Sequence, residues 1–154
     1  MSGMENPEDG LQERIAKLVA ACQEILRSAA PDGLEAVFLY GSALGPLFRS
    51  DSDIDIAVLD RESSPLPWRD QSRLMDALER ATGHGVDLRM LRESSPSHQA
   101  HVLEHGRRLW SRDPAEVERY TRQALAAARR QRERCERDWP QVLDRLAGLA
   151  ASRR

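Results

Sequence analysis

The residues of this chain that could do chemistry together lie in one short segment. A Gly41-Ser42 pair is followed, ten residues later, by Asp53 and Asp55. The two aspartates stand at i and i+2 of a predicted strand, so their carboxylates share one face of it. Neighbouring carboxylates repel each other, and a divalent cation relieves that repulsion. Because Mg²⁺ prefers carboxylate oxygens together with substrate phosphates, the spacing favours a magnesium–nucleotide site.

Gly41 and Ser42 fit the phosphate side of such a site. Glycine lets the backbone come close to a bulky anion. A strand end followed by the start of a helix directs free N–H groups at that anion, and the Ser42 hydroxyl adds a donor. Asp87, inside a later predicted strand, places a third carboxylate on the same sheet face. A third carboxylate would hold a second metal ion or take a proton from an attacking hydroxyl.

Hydrophobic periodicity predicts the elements that must position these residues. We expect an α+β domain with a short mixed sheet and a helical C-terminal third. A turn with one or two helical turns should connect the first two strands. The predicted strands cover residues 36–40, 53–59 and 86–91, and the predicted helices cover residues 11–30, 68–81, 96–107, 114–138 and 141–150, with a break at Trp139-Pro140.

The segment GSALGPLFRSDSDID, residues 41–55, fits the signature Gly-Ser, ten residues, Asp-x-Asp of the DNA polymerase β-like nucleotidyltransferases. Within that superfamily the chain resembles the minimal nucleotidyltransferases. More narrowly, it is similar to the MntA-type adenylyltransferase antitoxins, which are paired with HEPN-domain toxins of the HepT type. The resemblance covers about residues 36–91, and the segment 98–125 also resembles the region that follows the third Asp in these antitoxins.

The resemblance implies a sheet of the nucleotidyltransferase palm type and a role for each candidate residue. Gly41 and Ser42 would hold the nucleotide phosphates. Asp53, Asp55 and Asp87 would be the catalytic carboxylates and would bind two Mg²⁺ ions. The implied reaction transfers AMP from the substrate ATP to a tyrosine of a HEPN RNase toxin, which would be the partner of this protein.

Length and composition agree with a chain of this kind. The 154 residues, 31% of them charged, suit one globular domain. We expect a flexible tail at 1–10, a nucleotidyltransferase domain at 11–112, and C-terminal helices at 113–154 that pack on the domain or on a partner. Apolar runs are too short for a membrane span, and no signal peptide is recognisable, so we expect a cytoplasmic protein. The net charge of −2 argues against direct nucleic-acid binding.

Other interpretations stay open beside this one. The candidate residues could form an ordinary turn and a strand with solvent-facing acids, although Asp is depleted in strands. The enzyme could modify a small molecule such as an aminoglycoside, although little chain remains after Asp87 for a second domain. The protein could also be a non-catalytic antitoxin that masks its toxin by binding.

Several arginines and histidines outside the motif have either a structural interpretation or one that stays open. Arg49 is interpreted as a solvated loop residue. Arg89, on the strand face of Asp87, is left open between pairing with the acidic cluster and binding phosphate. The basic run at 129–137 is a solvated helix face or a docking surface for an acidic partner or RNA. The predicted helix 96–107 carries three histidines, His98, His101 and His105. No carboxylate or cysteine beside them completes a set of metal ligands, so we interpret them as a surface or partly packed face.

Overall fold

A computed structural model describes the backbone of residues 7–151 and the side chains of residues 10–147. Helices and strands alternate along most of this length and end in one long helix. In chain order the elements are α1 (Pro7–Ala29), β1 (Leu34–Tyr40), a 3-10 turn (Gly41–Leu44), β2 (Ile54–Asp60), α2 (Trp68–Thr82), β3 (Val86–Met90), α3 (Pro96–His105), β4 (Arg107–Ser111) and α4 (Pro114–Ala151).

The four strands form one mixed sheet in the order β3-β2-β1-β4. β1 lies between β2 and β4 and is antiparallel to both. β2 and β3 are parallel, and α2 provides the crossover that a parallel pair requires. The predicted α+β class with a short mixed sheet and a helical C-terminal third is confirmed.

Helices cover both faces of the sheet. Side chains alternate along each strand, so neighbouring residues pack against helices on opposite faces. One layer joins α1 and α2 to β1, β2 and β3 through Leu18, Cys22, Leu26, Val37, Leu39, Ile56, Val58, Leu74, Val86 and Met90. The opposite layer joins α3 and α4 to the sheet through Phe38, Tyr40, Ala57, Leu59, Val102 and Val117. Asp55 lies between Ile54 and Ile56 in sequence and therefore belongs to the α3 face.

Hydrophobic periodicity did not predict the strand β4. It predicted a helix over residues 96–107 instead. The structure ends α3 at His105 and starts β4 at Arg107. The first two residues of β4 are exposed arginines, and only Leu109 is buried, so the segment lacks a strong alternating pattern. Its extended conformation comes from pairing with β1, where Leu39 is the partner of Arg107.

The predicted break at Trp139-Pro140 is wrong, because α4 is one continuous helix with Pro140 inside it. A proline removes one hydrogen bond from the helical ladder and favours a kink, but the bonds on either side can continue. From Arg132 to Ala147 every residue is exposed. We call residues 129–147 the distal segment of α4; its exposure agrees with the interpretation of the basic run as a solvated face.

The N-terminal helix begins at Pro7, four residues before the predicted start at 11. Residues 1–6 of the predicted tail lie outside the described residues, and the proposed division of the chain after residue 112 stays a prediction. Among the described helices, none combines the length and apolar character needed to cross a membrane.

Candidate active site

The turn after β1 places Gly41 against one of the predicted aspartates. Residues Gly41–Leu44 form a single 3-10 turn directly after Tyr40. Gly41 has a φ of +72°, a conformation that other residues rarely adopt. A Cβ atom on Gly41 would overlap Oδ2 of Asp55. Glycine is therefore required here both by the backbone and by the carboxylate, while Ser42 is exposed beside it.

Asp55 is the middle member of a row of three polar side chains across the sheet. Its antiparallel partner in β1 is Tyr40. Its parallel partner in β3 is Asp87. Directly paired residues project to the same face of a sheet, so the three side chains follow one another on the α3 face. The sheet register thus makes neighbours of two carboxylates that α2 separates in sequence.

Asp53 lies just before β2, at the same end of the sheet. The Ile54 N–H donates to the Gly85 carbonyl at 2.8 Å, so β2 and β3 begin side by side. A Cβ atom on Gly85 would overlap Oδ1 of Asp53. A second glycine therefore leaves room for a second carboxylate.

The electrostatic state of Asp55 reflects its crowded position. Burial raises the pKa of Asp55, and repulsion from Asp87 and Asp53 raises it further, while Arg89 acts in the opposite direction. The charged form is therefore disfavoured unless a cation compensates it. Oxygen donors of this kind suit Mg²⁺, so the chemistry of the three carboxylates fits the metal that the family implies.

Arg89 pairs with Asp87, one of the two partners that the sequence left open for it. Its Nε and Nη2 donate to Oδ2 of Asp87 at 3.1 and 3.0 Å. Both bonds end on the same carboxylate oxygen. Within the part of the chain that the structure describes, no three His, Cys, Asp or Glu side chains converge as a metal-binding group. Asp87 is thus held by Arg89 beside Asp55, and the three carboxylates do not converge on one point in this arrangement.

Tyr40 and His98 extend the site, and sequence reasoning did not assign either residue to it. Their rings meet edge to face, with centroids 5.3 Å apart. Burial raises the pKa of Tyr40, and Asp55 adds to the shift. Burial also lowers the pKa of His98, and His98 Nε2 is buried without a hydrogen-bond partner among the described residues. The position of Tyr40 directly before Gly41 was the only available signal.

The remaining sequence interpretations fall outside this cluster. Arg49 is exposed and bonds to Asp51 at 3.0 and 2.8 Å, which confirms the interpretation of Arg49 as a loop residue. The histidines of α3 do not act as one set. His101 and His105 contact each other at a 5.2 Å centroid distance on the exposed side of α3, whereas His98 turns toward Tyr40.

A mixed sheet in which a Gly-Ser turn leads to an Asp-x-Asp strand, with a third Asp on the next strand, defines a nucleotidyltransferase of the polymerase β type. The family model for the polymerase beta nucleotidyltransferases matches residues 21–115. The chain belongs to this family and is a nucleotidyltransferase. No curated protein matches the chain in sequence.

Solved structures give the same architecture. A chain in a crystal structure of a toxin–antitoxin with AMP-PNP is 26% identical, with a TM-score of 0.64, over 81% of this chain and 98% of that chain. A chain in a complex of tri-AMPylated Shewanella oneidensis HEPN toxin with MNT antitoxin is 25% identical, with a TM-score of 0.58, over 86% and 98%. A third, from a toxin–antitoxin MntA–HepT crystal structure, is 23% identical at a TM-score of 0.57, over 86% and 98%, and supports the fold alone.

Proposed function

We propose that this protein is the antitoxin of a toxin–antitoxin pair and that it transfers AMP from ATP to a tyrosine of a HEPN RNase toxin. The observation that carries the proposal is the row of Asp55 and Asp87 beside the Gly41 turn. Support also comes from the similarity to chains of a toxin–antitoxin with AMP-PNP and of a complex with a tri-AMPylated HEPN toxin.

The proposal gives each residue of the cluster a task. The Gly41-Ser42 turn holds the phosphates of ATP, because Gly41 permits close approach and Ser42 presents an exposed hydroxyl. Asp53, Asp55 and Asp87 would hold two Mg²⁺ ions. Arg89 donates only to Oδ2 of Asp87, so its pair leaves the other carboxylate oxygen without a donor from Arg89. Bound Mg²⁺ neutralises the charge that develops on the phosphates.

The reaction is an in-line substitution at the α-phosphorus. The oxygen of the acceptor tyrosine forms a bond to that phosphorus, and the bond between the phosphorus and the oxygen of the leaving pyrophosphate breaks. The hydroxyl proton passes to an ionised carboxylate of the cluster or to solvent. The products are tyrosine-bound AMP and pyrophosphate. The protein would position both reactants and stabilise the developing charge, the two contributions that dominate catalysis of phosphoryl transfer.

Mass spectrometry of a candidate HEPN partner protein tests the proposal. After incubation with this protein, ATP and Mg²⁺, we expect AMP on at least one tyrosine, and we expect no adduct when EDTA is present. The double variant Asp53→Asn with Asp55→Asn should be inactive. Asp51→Asn, which changes an exposed loop aspartate of the same segment, should retain transfer. Absence of AMP from every tyrosine in the wild-type reaction would contradict the proposed acceptor.

Two further experiments separate the alternative functions. If the double variant still protects cells from the toxin, masking by binding is the protective step rather than AMP transfer. If labelled AMP is transferred to an aminoglycoside or another small molecule and not to protein, the enzyme belongs with the small-molecule nucleotidyltransferases. The cytoplasmic location and the lack of direct nucleic-acid binding stay predictions.

A further inference from the structure

The apolar stripe of α4 continues beyond the part of the helix that packs on the domain. Its first part, with Val117, Ala124 and Ala128, is buried against the rest of the protein. Past Ala128 and the charged Arg132, the stripe resumes at Cys135 and then continues at intervals of four, three and four residues, which is the spacing of alternating d and a positions in a coiled coil. The residues at these positions are Cys135, Trp139, Val142 and Leu146.

This distal part of the stripe has no cover within the described chain. Trp139 is 58% exposed, Val142 40% and Leu146 55%. Large apolar side chains in a contiguous exposed row are typical of an interaction surface. Pro140 lies at a b position, next to the seam but outside it, so its missing N–H does not interrupt the row.

The charges beside the stripe indicate which partner fits it. Asp138 and Arg145 both occupy g positions, on the same flank of the seam. In an antiparallel pair of two α4 helices, Trp139 packs opposite Val142 of the second copy. That register places Asp138 opposite Arg145 of the second copy, and two-fold symmetry forms the pair twice.

A parallel pair would not use these charges. The g position of one helix then faces the e position of the next heptad of the other, so Asp138 would face the apolar Leu143. The two Asp138–Arg145 pairs are therefore specific to the antiparallel arrangement. They also account for the opposite charges of residues 138 and 145, the last two g positions of the segment.

We propose that the distal segment of α4 pairs with the same segment of a second copy in an antiparallel coiled coil. The four seam layers place Trp139 against Val142 and Cys135 against Leu146, each twice. This association is independent of AMP transfer, because it uses a helix end that contains none of the candidate active-site residues.

Sedimentation velocity over a concentration series tests the dimer. The mass should rise toward twice 17.4 kDa as concentration increases. Asp138→Arg should raise the dissociation constant at least tenfold, because it places two arginines together at each end. Adding Arg145→Asp should restore the affinity. Asp144→Arg, the same charge change at the outward f position, is the matched control and should dimerise like the wild type.

Cysteine cross-linking tests the direction of the helices. Under oxidation, Leu146→Cys should form an interchain disulfide with native Cys135, while the wild type should not cross-link through Cys135 alone. Cross-linking of the wild type would instead show a parallel pair and overturn the proposal. A monomeric wild type at all concentrations, or a charge swap that fails to restore dimerisation, would also overturn it. In the monomeric case, loss of HEPN-protein binding in Trp139→Arg would assign the stripe to that partner.

Discussion

Gly41 and Asp55 fit together only because Gly41 has no side chain, since a Cβ atom there would overlap Oδ2 of the carboxylate. Gly41 belongs to the turn that the proposal assigns to phosphate, and Asp55 to the strand that it assigns to metal. The two halves of the proposed site are therefore in direct contact. A side chain added at Gly41 must therefore displace the Asp55 carboxylate.

Gly41→Ala should abolish AMP transfer and destabilise the fold. Gly83→Ala is the matched control, because Gly83 has the same φ of +72° but no atom within 4 Å of an added Cβ. Both variants place alanine in the left-handed region, at a cost of about 1–2 kcal/mol. Only Gly41→Ala also displaces Asp55. Urea denaturation and transfer assays would compare the two, and an active Gly41→Ala enzyme would contradict the proposed arrangement.

Asp55→Asn should make the metal-free protein more stable at neutral pH. Because folding raises the pKa of Asp55 above its ordinary value of 3.8, the folded protein binds this proton more tightly than the unfolded chain. Stability therefore falls as pH rises from that value through the raised pKa. Asparagine does not ionise, so the variant keeps the stability that the wild type loses. The difference in unfolding free energy between the two proteins should therefore shrink as the pH falls from the raised pKa toward 3.8.

Asp51→Asn provides a control of opposite sign. The Arg49 guanidinium lowers the pKa of Asp51, so this carboxylate stabilises the fold above its ordinary pKa and loses that effect as pH falls. Its neutral variant should be slightly less stable than the wild type at neutral pH. Urea midpoints measured in EDTA over a pH series would check both signs. An Asp55→Asn protein that is less stable at neutral pH would argue against crowding of the carboxylates.

The two cysteines should differ sharply in reactivity. Burial raises the pKa of Cys22 to about 11, so it carries almost no thiolate at neutral pH. Cys135 is exposed. A thiol reagent at low protein concentration should modify one thiol quickly in the native protein and both after unfolding. Cys135→Ser should remove the fast reaction. Rapid modification of both thiols in the native wild type would show that the α1 face of the core opens readily.

Arg112 should be a structural arginine at the corner between β4 and α4. Its Nε donates to the Leu34 carbonyl and its Nη2 to the Pro31 carbonyl, each at 3.0 Å. Arg112→Ala leaves the partly buried Leu34 acceptor without this donor and should cost about 1–3 kcal/mol of unfolding free energy. Arg122→Ala, at an exposed position of α4, should change it by no more than about 0.5 kcal/mol. Equal urea midpoints for the two variants would contradict this role.

Local patterns were sufficient for the strand β2 and for the position of Asp55 between the buried residues Ile54 and Ile56. The alternation of apolar and acidic residues has the two-residue period of a strand, and that period is a property of the chain itself. The same holds for α2, whose bounds follow from Pro67 before it and Gly83 after it. The Gly-Ser and Asp-x-Asp spacing was enough to indicate the family.

Contacts between distant segments decided the rest. Residues 107–111 form the strand β4 because they pair with the free edge of β1. The sequence of residues 107–111 alone does not show that this edge is available. Asp55 and Asp87 are neighbours because of the register between β2 and β3. His98 meets Tyr40 because α3 packs on the sheet. The residue types were readable from sequence because they follow local chemistry, whereas their partners depend on how the whole chain packs.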